Sequence, residues 1–197
     1  MRIVVGMTGA TGAALGVRLL QELQKRPEVE THLVISRWAR STIEWETSMT
    51  TRDVSALADV SYSPDDQGAA ISSGSFRTDA MVIVPCSMKT LAAIRCGYAD
   101  GLIARAADVT LKERRKLILV PREAPLSEIH LDNMLTLARM GTMIVPPMPS
   151  FYQHPVTVDD VVDHFVARLL GTLGLAADEP YEWTGFTKER ARQAIQS

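Results

Sequence analysis

At 197 residues the chain suits one well-buried domain and is short for two. With 46% hydrophobic and 22% charged residues and a formal net charge of -2, it lacks the basic surface of a nucleic-acid binder. Cys86 and Cys96 form neither a C-x-x-C pair nor a disulfide framework, and no apolar run nears the roughly twenty residues that cross a bilayer, so a reduced cytoplasmic protein away from membranes is expected.

A first strand near residues 2 to 6 is too soon interrupted by glycines and threonines to be a signal-peptide core. It runs into "MTGATG", which opens a helix over 12 to 25 and spaces Gly6, Gly9 and Gly12 as G-x-x-G-x-x-G. By itself that ladder fits a tight strand-to-helix turn as well as a phosphate cradle. A second strand over 30 to 35 ends at Ser36 and leads to a helix over 38 to 47. The stretch 59 to 79 is polar and rich in Gly and Ser, which predicts a long surface loop with room for one short edge strand.

A third strand, 80 to 85, passes through "PCSMKT" into helical periodicity over 88 to 112. A fourth, 116 to 120, passes through "PREAP" to a helix over 128 to 140 with Gly141 as its C-cap. A fifth, 142 to 145, precedes "PPMPSFYQHP" and a helix over 158 to 173 capped by Thr157. The ending "TKERARQAIQS" reads as a solvated terminal helix. This alternation predicts an α/β chain: one domain over 1 to 197, with a doubly wound parallel sheet between helices.

Such sheets bind ligands beyond the carboxyl ends of their strands. Those ends carry Thr8, Gly9, Ala10 and Thr11; then Ser36; then Ser87, Met88, Lys89 and Thr90; then Arg122 and Glu123; then Tyr152. Small hydroxyls, helix-opening amides and a cation all favour a bound phosphate, although each set also serves as a helix cap or a surface ion pair.

"TGATG" is similar to extended short-chain dehydrogenases, but Tyr62, Tyr98, Tyr152 and Tyr181 all lack a Lys four residues on, and Ser36-Arg37 replaces the acidic ribose clamp. Asp159, Asp160 and Asp163 spell the D-D-x-x-D of magnesium-dependent prenyl synthases. Those enzymes are all-helical and need two such motifs, whereas here the acids sit in the first turn of a helix, where the dipole favours them. His32, His130, His154 and His164 have no metal-ligand spacing, and surface or packing roles are expected of them.

Taken together, "MTGATGA", "LVIS", "SGSFRTDAMVIVPCSMKTLAAI", "ERRKLILVPREAPLSEIHLDNML" and "PSFYQHPVTVDDVVDHFVARLL" resemble the UbiX/Pad-type flavin prenyltransferases over nearly the whole chain, in the subgroup that accompanies aromatic acid decarboxylases. The resemblance implies a Rossmann-like or flavodoxin-like subunit of a homododecamer that binds FMN. It also implies that dimethylallyl monophosphate alkylates reduced FMN at nitrogen-5 and carbon-6, and that the prenylated FMN serves a UbiD-type decarboxylase.

By motif, Gly9, Ala10, Thr11, Ser36, Ser87, Met88, Lys89, Thr90 and Arg122 correspond to the flavin site, and Tyr152 and Arg168 to the prenyl-phosphate site. Lys112, Glu46 and Glu123 lie nearby, Lys112 and Glu123 from the same chain or from a neighbouring subunit, Trp183 is the tail residue facing the cavity, and the tail from about 180 packs on a neighbouring subunit. Thr11 stands where many members have Ser. The chemistry agrees: ionising an allylic phosphate needs cations at the leaving group, here Arg168 and Lys112, and π faces at the allyl fragment. Glu123 is the candidate for proton transfer, given burial and the Arg122 charge beside it, and no metal is needed. The rival readings are a flavin-dependent cysteine decarboxylase of the same fold, for which the early catalytic His and PXMNxxMW-like segment are missing, and a non-catalytic flavin-binding accessory subunit.

Overall fold

A computed structural model describes residues 1–175 of the chain. Its sheet is built from β1 (Arg2–Met7), β2 (Glu30–Ile35), β3 (Val60–Tyr62), β4 (Ala80–Cys86), β5 (Lys116–Pro121) and β6 (Met143–Ile144). All neighbours are parallel, in the order β3-β2-β1-β4-β5-β6. The chain builds β1, β2 and β3 outward in one direction, then crosses back to lay β4 against the other side of β1. That reversal places the topological switch point, where doubly wound sheets bind ligands, between the carboxyl ends of β1 and β4.

The central strands are apolar on both faces because helices cover both. On one face Ile3, Val5, Met7, Val82 and Val84 pack with α1 (Ala13–Gln24), α2 (Arg37–Glu46) and α7 (Val158–Leu173). On the other Val4, Met81, Ile83, Leu117 and Leu119 pack with α4 (Met88–Cys96), α5 (Leu102–Lys112) and α6 (Glu128–Arg139).

The helical periodicity over 88 to 112 divides into two helices. Gly97 takes a left-handed φ of 69° and closes α4, and Gly101, at φ 89°, precedes α5. Periodicity alone ran through this break because both helices turn apolar faces to the same sheet. A short α3 (Thr51–Ser55) was not anticipated, although its signal was present: Thr50 and Asp53 form a capping box. The long 59 to 79 segment does supply one edge strand, β3, which pairs only with β2. The rest of that segment is held by α5 and the turn after it: Arg105 Nε donates to Ser72 O at 3.1 Å, and Arg115 donates to Gly74 O at 2.7 Å and Phe76 O at 3.0 Å.

Among the described residues, no helix is long and apolar enough to cross a membrane.

Candidate active site

The three glycines of the opening ladder do three different jobs. Gly6 lets α5 approach the sheet, since a Cβ there would lie 3.2 Å from Ile103 Cγ2. Gly9 lets the loop lie on α2, since its Cβ would come 2.3 Å from Trp38 Cβ. Gly12 turns the chain into α1 at φ 107°, a conformation costly for any side chain.

The amides of that turn are not left for a phosphate. Gly12 N and Ala13 N both donate to Glu46 Oε2, each at 2.8 Å, so a carboxylate already occupies the positive end of α1. A second anion there would meet like charge. The neighbouring helix starts differ. Ser36 Oγ caps α2 through Ala39 N at 3.2 Å, and Ser87 Oγ caps α4 through Thr90 N at 3.3 Å, both with neutral hydroxyls that leave the positive helix ends uncompensated. Ser87 Oγ also bonds Thr90 Oγ1 at 3.1 Å.

Thr8, one of the strand-end residues, organises the switch point and does so from within the fold. The Thr8 hydroxyl is buried, donates to Pro85 O at 2.8 Å and accepts from Ser87 N at 2.7 Å, tying the end of β1 to the end of β4. Nothing in "MTG" marks Thr8 above Thr11. Arg122 follows β5, and its backbone N donates to Cys86 O at 3.3 Å, which brings its cation to the same edge. Cys86 is fully enclosed and burial pushes its thiol pKa well up, so it packs as an unreactive apolar group.

Beside the Gly9 loop lies a cavity of about 300 Å³ lined by Gly9, Trp38, Ser41, Thr42, Trp45 and Glu46. Trp38 and Trp45 give it aromatic walls of the kind a planar ring needs and Ser41 and Thr42 give it hydroxyls, while the hydroxyl-capped starts of α2 and α4, suited to a phosphate, follow β2 and β4.

The remaining sequence-predicted residues separate into two groups. Tyr152 lies in a 3-10 turn, Phe151–Gln153, after β6. Its ring meets His164 edge-on, with centroids 6.0 Å apart at 89°. Arg168 is one helical turn beyond His164 on α7, and its charge together with burial lowers the His164 pKa, burial being the larger cause. Tyr152 and Arg168 are thus brought to one place.

Lys112 is not with them. It ends α5 four residues before β5, whereas Arg122 and Glu123 follow β5, so about 20 Å of strand separates them on one chain. Lys112 Nζ contacts Glu113 Oε1, and that bond holds the Glu113 carboxyl below the usual carboxylate range.

Glu123 is exposed, with Oε1 accepting from Ala124 N at 3.0 Å, so its own chain does not supply the burial expected around a proton-transfer group. Trp183 and the tail from about 180 lie outside the described residues.

The acidic run on α7 is a helix cap. Asp160 accepts from Val156 N at 2.9 Å and Thr157 N at 2.8 Å, and Asp163 pairs with Arg18 at 2.8 Å. Among the described residues no cluster of three His, Cys, Asp or Glu could hold a metal ion.

The sequence matches the Flavoprotein family over residues 1–170. A probable UbiX-like flavin prenyltransferase from Streptomyces sp. (strain D7) is 69% identical over 191 residues, 97% of this chain and 96% of the relative. The crystal structure of a dodecameric FMN-dependent UbiX-like decarboxylase from Escherichia coli O157:H7 is 66% identical with a TM-score of 0.93, covering 94% of this chain and 100% of the other. AnUbiX (PadA1), crystallised in complex with FMN and dimethylallyl pyrophosphate, is 53% identical with a TM-score of 0.92, covering 94% of this chain and 98% of the other. The chain belongs to the flavoprotein family and, within it, to the UbiX-like flavin prenyltransferases.

Proposed function

We propose that the protein transfers a dimethylallyl group from dimethylallyl monophosphate to reduced FMN, making prenylated FMN for a UbiD-type aromatic acid decarboxylase. The carrying observation is the pairing of two separate anion-competent places. One is the hydroxyl-capped switch point; the other is the Tyr152–His164–Arg168 group. A flavin-binding accessory subunit would need only the first.

The phosphate of FMN is held by the start of α4, through the amides of Met88 and Lys89 and the hydroxyls of Ser87 and Thr90, with Ser36 and Arg122 beside it. Gly9, Ala10 and Thr11 carry the ring. Reduced FMN would supply nitrogen-5, which loses its proton as it displaces the phosphate, and carbon-6, which bonds to the far carbon of the allyl double bond as the middle carbon takes up a proton and carbon-6 gives one up. Glu46, oriented by its two backbone bonds, holds the loop that presents Thr11 to the ring edge.

As the allylic carbon–oxygen bond breaks, negative charge grows on the leaving phosphate, where Arg168 and the Tyr152 hydroxyl stabilise it. Lys112 adds a cation from a neighbouring chain, Glu123 moves the proton once a neighbour covers it, and Trp183 offers a π face to the allyl fragment.

A homododecamer, like the E. coli relative, supplies those neighbours. Lys112 stands at the opposite end of β5 from Arg122, and the exposed Trp38, Trp45, Met148 and Phe151 give apolar surface for such contacts.

Arg168→Ala tests the division of labour. FMN affinity should stay at the wild-type value while transfer falls by about 10²–10³, the usual cost of losing one preorganised donor to developing charge. Loss of FMN binding in that variant would put Arg168 in the wrong place.

A further inference from the structure

We propose that Gly74 and Glu113 are positioning residues for Lys112: the bare Cα of Gly74 is a seat on which the Glu113 carboxylate holds the Lys112 ammonium, ready for the phosphate of a prenyl donor in a neighbouring chain. The inference rests on the reading of Lys112 given above and goes beyond it, since nothing in that reading says what holds the cation or gives Gly74 a part.

Adjacent side chains on a helix do not face each other, yet those of Lys112 and Glu113 meet. They can because α5 ends between them. Glu113 is the cap residue at φ -85° and ψ 5°, and Arg114 takes a left-handed φ of 56° that turns the chain toward β5. The ammonium and the carboxylate come together over Gly74. A Cβ on Gly74 would lie 2.6 Å from Lys112 Nζ and 2.8 Å from Glu113 Cδ, with Glu113 Oε1 nearer still. The space exists because residue 74 has no side chain.

The loop beneath is fixed on both sides of that glycine. Arg115, in the turn after α5, donates to Gly74 O at 2.7 Å and Phe76 O at 3.0 Å. Arg105, two turns before Lys112 and so on the same face of α5, donates to Ser72 O at 3.1 Å. Ser73 Oγ and Ser75 Oγ bond at 2.9 Å across the glycine. A side chain at 74 would therefore move the two charged tips and not the backbone.

The pair does little for the fold itself. Both side chains keep a solvent-facing side, 46% exposed for Lys112 and 35% for Glu113, and exposed ion pairs add little to stability. What the pair does is confine a long, flexible side chain. An ammonium has three N–H donors; Glu113 takes one, and two remain for phosphate oxygens. A cation already confined loses less rotamer freedom when the donor arrives, which strengthens binding without a new contact.

The test uses the full-length protein in its native assembly, loaded with oxidised FMN so that dimethylallyl monophosphate binds without transfer, and reads the donor Kd by calorimetry at one pH. Lys112→Ala should raise Kd by about 10- to 150-fold, the loss of a hydrogen bond to a charged group. Gly74→Ala, whose alanine meets no positive φ, lifts the pair off its seat, and Glu113→Asp draws the carboxylate back by a methylene with its charge kept. Each should raise Kd by about threefold or more in the wild type and by less than about twofold in the Lys112→Ala background, because both act through Lys112.

An equal further loss in the Lys112→Ala background would make the effect a general disturbance of the loop and overturn the inference. So would a wild-type Kd in Gly74→Ala or in Glu113→Asp, for the residue concerned; where Gly74→Ala disturbs assembly, Glu113→Asp decides. A wild-type Kd in Lys112→Ala itself, or no donor binding by the wild type, would instead remove the reading of Lys112 on which the seat depends.

Discussion

Gly9→Ala should separate steric design from backbone freedom at the flavin loop. Gly9 has no positive φ, so alanine meets no conformational penalty there. What it meets is α2: the new Cβ would lie 2.3 Å from Trp38 Cβ and 3.3 Å from Trp38 Cα. Carbon atoms in contact settle at about 3.5–4.0 Å, so the loop and α2 must part by roughly 1.2 Å or more. Overpacking of this kind costs about 1–3 kcal/mol, which corresponds to a 5- to 150-fold weaker Kd if the FMN-bound conformation bears it.

Fluorescence titration with FMN reads that loss, and a second change at Trp38 locates its origin. Trp38→Ala keeps the offending Cβ and should not rescue Gly9→Ala. Trp38→Gly removes it, so in that background Gly9→Ala should cost little further affinity, whereas in the Trp38→Ala background it should cost as much as in the wild type. An equal further loss in both backgrounds, or wild-type affinity in Gly9→Ala alone, would exclude the Cβ clash.

Glu46→Ala removes the acceptor at the start of α1 and should lower stability in urea unfolding by about 0.5–2 kcal/mol, with Glu46→Gln, which keeps one acceptor oxygen, losing less. His32 is buried against Tyr62 and Glu30, and burial is the main cause that lowers its pKa. Its neutral form is therefore the one the fold prefers. The stability this contributes is complete above the unfolded value near pH 6.5 and is lost as pH falls through the lower folded value. His32→Gln should flatten that acid limb of the urea midpoint, leaving the part with the same sign from His164. If Lys112 and Arg122 serve one site from different chains, Lys112→Ala and Arg122→Ala should each be inactive alone, and the two co-expressed should recover about a quarter of wild-type transfer, as random assembly leaves both intact at that fraction of sites. No recovery would place both on one chain.

Much of the fold is legible because the central strands are apolar on both faces and their ends break into Gly, Ser, Pro or a charge. That pattern points to the parallel sheet and to the residues at the switch point. It missed the break between α4 and α5, where the apolar spacing continues across Gly97 and Gly101. It also read the glycine ladder as one motif, although Gly6, Gly9 and Gly12 answer to Ile103, Trp38 and a left-handed turn, two of which are contacts across the fold.

What Thr8 does is hidden for a related reason: its hydroxyl acts through Pro85 and Ser87, both distant in sequence. Lys112 shows the reverse: its motif resembles the family's, but a helix that precedes β5 leaves it on the far edge of its own sheet, a consequence of topology that motif matching does not carry.

Prenyl transfer changes the mass of the flavin itself. The pure protein is incubated without oxygen with reduced FMN and dimethylallyl monophosphate, and the released flavin is weighed by mass spectrometry. The account predicts a mass gain of one five-carbon prenyl unit, with release of inorganic phosphate. Unchanged flavin from protein that binds both ligands, beside an active control enzyme, would contradict it.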